Sequence, residues 1–325
     1  VLGIVLLQKP IYNWLYFKGK VADYTWKIAS VSIAAQVSTV PICFYYFHQL
    51  PLLFLVANII AIPLATVALW GCIALIALSP IPAVSVYLGK IITAFLWLMN
   101  HTVLLINTLP FALWNDVSIS VWGTILLYLI FISFIYWLIK KSSLALKFAL
   151  VSVLLFSFLI FLNKWDSFHQ RKMIVYNVPM HSATDFVGGN KYHLVGDSSL
   201  IADQLLQNFN LKPARISLLA NNKATNSSAV FHQNNFFKFY DTRVLMIDTS
   251  ISYLPLSKKI VVDCIIISKN AKIKIADLVQ TFECKKYIFD ASNPSWKIEK
   301  WKKECEELHL RFHSVSEQGA FVTDL

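Results

Sequence analysis

From residue 28 to residue 89 the chain carries no Asp, Glu, Lys or Arg. Residues 91–115 and 117–139 are equally free of charge, with Lys90 and Asp116 standing between the runs. A bilayer core of about 30 Å is crossed by roughly 20 apolar helical residues. Soluble domains hold about 25% charged residues, whereas this chain has 14%, with 57% hydrophobic residues and a mean hydropathy of +0.57. The runs therefore read as membrane spans and not as one buried core. Turn signals at Gln49-Leu50-Pro51, Ser79-Pro80-Ile81-Pro82, Pro110 and Asn115-Asp116 divide them. The expected spans are 28–47, 53–78, 86–109, 117–139 and 147–163.

The composition changes after residue 172. Residues 1–172 hold 11 Lys and Arg against 3 Asp and Glu; residues 173–325 hold 18 against 15. The fold class expected is a polytopic α-helical membrane domain over 1–163, a linker over 164–172, and a soluble α/β domain over 173–325. The apolar residues 1–7 have no basic n-region before them and read as the end of a preceding helix, so an N-terminal portion of the protein is expected to be missing.

Lysines orient the spans. Lys9, Lys18, Lys20 and Lys27 precede the first; Lys90, then Lys140, Lys141 and Lys147, fall in later loops on the same side. The opposite loops carry only Asp116. The positive-inside rule places the basic loops in the cytoplasm and the tail outside it. The net charge of +11 is thereby explained largely by topology, with direct nucleic-acid contact as the alternative.

Polar residues form stripes within the spans. Thr93, Asn100 and Asn107 are seven apart, a spacing that drifts only about 20° per step on a helix. Ser32, Gln36, Thr39 and Cys43 also share one face. Facing lipid, such amides would go unpaired, so both stripes are expected to face the bundle interior or a wet cavity. The plainer reading is helix-to-helix hydrogen bonding worth about 0.6 kcal/mol per pair. Pro41, Pro51 and Pro63, with Asn58 among them, add the expectation of broken or re-entrant helices around a water-filled path. Residue chemistry alone leads to a transporter or channel.

The stretch containing Ala35-Gln36, Pro41 before Phe44-Tyr45-Tyr46-Phe47, and Asn58 with Pro63 resembles the core signature of the ComEC competence-protein family. The resemblance covers residues 1–163 and is most specific over 28–70. It implies an inner-membrane channel that passes single-stranded DNA into the cytoplasm during natural transformation. Gln36, Asn58, Thr93, Asn100 and Asn107 would line the path, and Pro41 and Pro63 would shape its helices. The aromatic residues 44–47 could stack bases, although an interfacial belt is the commoner role of such a cluster. Implied partners are single-stranded DNA, membrane lipid, a DNA receptor or other competence proteins, and further copies of the chain.

In the tail, residues 173–178, 191–197, 215–220, 242–248, 261–268 and 286–290 read as strands, and 198–209 and 295–308 as helices. Asn293 and Pro294 read as the N-cap and first position of the last helix. Family members often end in a metallo-β-lactamase-like domain, and the layout is similar. That superfamily carries a Ser-His-x-Asp-x-Asp-His motif at a strand end, and the matching place is 265–278 with Ser268 kept. The ligand positions then hold Lys269, Ala271, Ile273 and Lys274, none of which offers a metal a donor at neutral pH. A degenerate domain with no metal, no cofactor and no catalytic residue is implied.

Other constellations are weak. His309 and His313 would stand about 13 Å apart on a strand, too far to chelate one ion. His181, Ser182 and Asp185 are adjacent, but triads normally converge from distant segments, and turn or cap bonding is expected of them. Of five cysteines, Cys264, Cys284 and Cys305 lie in the tail, where one disulfide is chemically permissible. The rival functions are a membrane-anchored nuclease or hydrolase, and a small-solute transporter or envelope sensor. The near absence of acidic residues in the spans argues against a proton-coupled carrier.

Overall fold

A computed structural model describes residues 1–220, 222–223, 230–248 and 258–325. The chain divides into two compact units, Val1–Ile160 and Phe161–Leu325.

The first unit holds α1 (Leu2–Tyr12), α2 (Lys20–Tyr46), β1 (Gln49–Pro51), α3 (Phe54–Ala77), α4 (Pro82–Asn107), β2 (Leu113–Asn115), α5 (Val121–Lys140) and most of α6 (Ser143–His169). Helices α2 to α6 are each long and apolar enough to cross a membrane. They begin and end within several residues of the expected spans, except that α2 starts earlier, at Lys20, and α6 runs on to His169. The expected linker 164–172 is thus the end of α6 and the start of a strand, with Gln170 between them. Strands β1 and β2 pair antiparallel, tying the α2–α3 connection to the α4–α5 connection. His48 joins there as well: its carbonyl accepts from the Val117 amide at 3.0 Å, and its Nδ1 lies 3.2 Å from the Val117 carbonyl.

Helix α2 is the centre of this unit, packing on α1, α3 and α5, while α4 packs on α3. One third of its apolar window (33%) is enclosed, against 6% for α3, α4 and α5. Trp70, Trp97, Leu104 and Trp122 are among the large apolar side chains left exposed, as suits helices solvated by lipid.

The prolines do not interrupt these helices. Pro41 lies inside α2 and Pro63 inside α3, and both helices are continuous. The expected broken or re-entrant helices are therefore absent at both positions. Proline removes one backbone donor, at Pro41 the one that would reach the Val37 carbonyl one turn back. Before Pro41, Ser38 Oγ and Thr39 Oγ1 both donate to the Ala35 carbonyl, and Tyr128 Oη of α5 donates to the Ser38 carbonyl at 3.0 Å.

The second unit holds β3 (Arg171–Val175), β4 (Ala183–Gly188), β5 (Lys191–Gly196), α7 (Ser198–Ala202), α8 (Gln204–Asn210), α9 (Lys212–Ser217), β6 (Asn222–Lys223), β7 (Val230–Gln233), β8 (Phe236–Phe239), β9 (Thr242–Ile247), β10 (Ile260–Ile267), α10 (Ile275–Thr281), β11 (Phe282–Phe289), α11 (Ser295–Glu307), β12 (Phe312–Ser314), α12 (Val315–Gln318) and β13 (Phe321–Asp324). One sheet has the order β12-β11-β10-β9-β8-β7, parallel from β9 to β12 and antiparallel through β7 and β8. The other has the order β13-β3-β4-β5-β6. Met173, Val175 and Phe186 of the smaller sheet meet Phe239, Val244, Ile266 and Ile288 of the larger, filling the space between the sheets. On the outside of the larger sheet, Ile265, Ile267 and Phe289 pack on Ile298 and Trp301 of α11. On the outside of the smaller, Ile174 and Val187 pack on Leu200 of α7 and Leu211. The result is a helix–sheet–sheet–helix sandwich. It explains why 264–267 is continuously apolar: both faces of β10 are covered.

Three local expectations fail. Residues 215–220 are no strand, because Pro213 opens the short helix α9 across 212–217. The helix expected over 198–209 is two, broken at Asp203, whose Oδ1 accepts from the Leu205 and Leu206 amides and caps α8. Asn293 is not the cap of α11; Pro294 holds that position, while the Asn293 side chain donates to the Ile267 carbonyl at 2.7 Å.

Candidate functional site

The polar residues of the spans divide into two sets. Ser32 of α2 is buried, and its Oγ accepts from Asn58 Nδ2 of α3 at 3.3 Å. One turn further along α2, Gln36 is half-buried, with an Nε2 that is enclosed and makes no hydrogen bond. Leaving a buried amide donor unpaired costs about 1–3 kcal/mol. An uncharged amide with an enclosed, unpaired donor therefore stands near the middle of the most enclosed of the five spanning helices.

The second set lies on α4. Thr93, Asn100 and Asn107 are all exposed, and Thr93 Oγ1 is turned back onto the Gly89 carbonyl at 2.8 Å. Ile92 and Ile106 are the buried residues of this helix. The structure thus joins Asn58 to the polar face of α2 through Ser32 and does not bring the α4 row to it. Of the aromatic residues at the end of α2, Phe44 is buried edge-on against Trp114, with ring centres 5.6 Å apart, whereas Tyr46 and Phe47 are exposed.

In the tail, residues 265–278, where the resemblance would place a metal motif, begin within β10 and run past its C-terminal end. Ser268 Oγ donates to the Ile247 carbonyl at 3.3 Å, and the backbone turns left-handed at Lys269, with φ 51°. Lys269 Nζ lies 3.1 Å from Asp248 and 3.5 Å from Asp197. Burial lowers the pKa of this ammonium, but hydrogen bonding and charge from Asp248 and Asp197 raise it more, so the net shift is upward. Lys269 is a counter-ion here and not a base. Ala271 is buried, Ile273 packs on the core, and Lys274 precedes α10. Among the described residues no three His, Cys, Asp or Glu side chains gather as a metal site.

Asp290 closes β11 beside this group. Its Oδ1 accepts from the Ser292 amide and hydroxyl and from Asn293 Nδ2, while Oδ2 makes no formed hydrogen bond. Burial pushes its carboxyl up to about 6, against the opposing pull of the nearby Ser182 and Ser292 hydroxyls.

The adjacent His181, Ser182 and Asp185 do not form a triad. The Ser182 amide donates to Asp197 Oδ2 at 2.8 Å, and His181 Nδ1 lies 3.3 Å from Ser199 Oγ. Asp185 is fully buried within β4, where Arg215 Nε and Nη2 donate to its two oxygens at 2.7 and 3.1 Å and Tyr176 Oη donates at 2.9 Å. The guanidinium also stacks on Tyr192, 3.8 Å from the ring centre. Burial raises the Tyr176 pKa, and the Asp185 charge raises it further. Sequence reading missed this network. The available signal was a carboxylate flanked by Ala183, Phe186 and Val187 in what is in fact a buried strand, read instead as a turn.

The remaining candidates are dispersed. His309 lies outside any strand, while the His313 ring nitrogen Nε2 is 3.0 Å from the Gly319 carbonyl. All five cysteines are free. Burial pushes the Cys264 thiol up to about 11 and those of Cys284 and Cys305 to about 12, so none is a ready nucleophile.

Two family models match the chain: that of the Competence protein family over residues 1–141 and that of the ComEC C-terminal domain over residues 173–325. The chain belongs to the ComEC family of competence proteins. No curated protein and no solved structure matches it. Both matched families tie this membrane protein to DNA uptake in competence.

Proposed function

We propose that this ComEC-family chain forms part of an inner-membrane path that carries single-stranded DNA into the cytoplasm during natural transformation. The observation that carries the reading is the unpaired amide of Gln36, beside the Ser32–Asn58 bond, within a run of residues 28–89 that carries no charge. A polyanion needs polar groups along its path to replace water, but fixed cations would hold its phosphates. Uncharged amides meet both demands. Thr93, Asn100 and Asn107 supply a second uncharged row on the exposed face of α4, available to the same path where further helices or copies close around it.

The basic loops lie in the cytoplasm and the tail outside it, in the periplasm. The tail is a degenerate metallo-β-lactamase-like domain, and the chain transports without breaking bonds. Lys269 supports this, since its ammonium, just past β10, already pairs with the carboxylates of Asp197 after β5 and Asp248 after β9.

Labelled DNA, quantified separately in cytoplasm and periplasm, tests the proposal in a strain lacking the gene. DNA stranded in the periplasm, with import restored by complementation, is the expected result. Unchanged cytoplasmic import in a competent strain removes the reading. Asn58→Leu, expressed at the normal level, should impair import. Orientation is checked with an impermeant thiol reagent, which should label Lys300→Cys and not Lys141→Cys.

A further inference from the structure

The larger sheet of the tail ends in the hairpin β7–β8, and register places three side chains in one line across it. Phe231 of β7 is directly opposite Lys238 of β8, which is directly opposite Arg243 of β9. Strands are about 4.8 Å apart, so the line spans about 10 Å. Lys238 and Arg243 are exposed, and Phe231 is 66% exposed. Phe236 lies two residues before Lys238 on the same face and is 40% exposed.

The inner face of the hairpin is fully employed, with Phe237 and Phe239 against Phe186. On the outer face Phe236 tilts against Phe282, with ring centres 6.2 Å apart, whereas Phe231 makes no ring contact among the described residues. The Lys238 and Arg243 side chains have no ion-pair partner among the described residues. Asp263, which also feels the Arg243 charge, is already engaged: the Arg243 amide donates to it at 3.0 Å, and Lys285 Nζ lies 2.7 Å from it. The surface therefore presents unpaired positive charge next to an exposed aromatic ring.

We propose that Phe231, Lys238 and Arg243 form a contact row for single-stranded DNA, the two cations on phosphates and the ring on an unpaired base. An exposed ring on a flat sheet can stack only on a base freed from its partner, which selects a single strand over a duplex. The polarity of the row also excludes an acidic partner of purely ionic character, which would leave Phe231 unused. The inference rests on the proposed role in DNA import and gives the tail a part in it: holding the strand outside the helices.

The test uses the full chain in nanodiscs with a fluorescein-labelled oligothymidine, read by anisotropy across a salt series. The double variant Lys238→Glu/Arg243→Glu should bind at least tenfold more weakly. The slope of log affinity against log salt should flatten by about 1.4, since each single-strand phosphate contact contributes about 0.7. Phe231→Ala should weaken binding about tenfold with the slope unchanged. Lys300→Glu/Lys303→Glu, the same charge change on exposed positions of α11, should have little effect. Hydrogen exchange confirms that each variant keeps its sheet protected.

Equal weakening in the α11 control, or unchanged binding in both row variants, overturns the proposal. Unchanged DNA binding with a lost response to phosphatidylglycerol in the nanodisc assigns the row to lipid headgroups and overturns it too. The import assay stands apart from this result. Normal import without the gene removes the functional reading, whereas row variants that bind normally in a protein still needed for import remove only this inference.

Discussion

Buried polar groups are completed differently in the two regions of the molecule. In the tail, Asp185 accepts from Tyr176 Oη and from two nitrogens of Arg215. In α2, Gln36 keeps an enclosed Nε2 with no partner. The tail's buried ion pair is closed on every side, and its one enclosed polar side-chain atom without a hydrogen bond among the described residues, Asp290 Oδ2, belongs to a carboxyl whose pKa burial raises. Among membrane helices, an open amide is costly in a dry bundle and cheap where water reaches it. The comparison teaches that buried charge in the tail is either paired, as at Asp185, or raised in pKa by its burial, as at Asp290, whereas α2 holds a neutral donor that no titration can relieve.

The hardest test of this contrast is Arg215→Met, which strands the Asp185 carboxylate. Removing one partner of a buried pair costs about 3–5 kcal/mol. Hydrogen exchange of peptides from β4 and α9 should show that loss, and the double variant Arg215→Met/Asp185→Leu should recover most of it. A small effect would mean that the tail tolerates unpaired charge as the helices tolerate Gln36.

Asp290 gives the next effect, and it depends on pH. Its folded pKa of about 6 lies above the ordinary value of 3.8, so the folded tail binds the proton more tightly than the unfolded chain. Stability therefore rises as pH falls from about 6 to about 3.8, by about 3 kcal/mol at the limit of a two-unit shift. Above pH 6 the buried charge is a standing cost. Asp290→Asn should flatten this window in an exchange-monitored unfolding series. A pH response that survives the substitution assigns it to another group.

Smaller still is Asp203→Ala, which removes the cap of α8 and should cost about 1 kcal/mol, read as faster exchange at Leu205 and Leu206. In the membrane, Asn58→Leu breaks only the bond to Ser32 and should cost about 0.6 kcal/mol in a detergent-titration unfolding assay. Gln36→Leu should change stability least, because no hydrogen bond is lost. Its signature is impaired import without loss of folded protein. If Gln36→Leu destabilises the helices as much as Arg215→Met destabilises the tail, the contrast between the regions fails.

Much of the architecture was legible in the residues. Charge-free runs can be solvated only by lipid, so five spans were readable from the sequence before any packing was known. Composition after residue 172 marked a soluble domain, and the strands at 173–178, 242–248 and 261–268 lie largely where β-branched runs predict them. The four positions within 265–278 where the resemblance expects metal ligands, Lys269, Ala271, Ile273 and Lys274, offer no donor by residue type alone. Lys269, the first of those positions, could be seen to be a poor ligand but not to be a counter-ion.

Tertiary structure decided the rest, because hydrogen bonds and ion pairs form between residues far apart in the chain. Pro41 and Pro63 read as helix breakers in isolation, yet both helices run through them, with hydroxyls before Pro41 and Tyr128 from α5 bonding the backbone there. Periodicity put Thr93, Asn100 and Asn107 on one face of α4, but only packing on α3 turned that face outward. Asp185 and Arg215 are 30 residues apart, and strand register with a short helix brings them together. The line Phe231–Lys238–Arg243 likewise exists only through the pairing of three strands. Sequence determined which residues lipid could solvate; the fold determined which polar groups found a partner and which were left to meet something else.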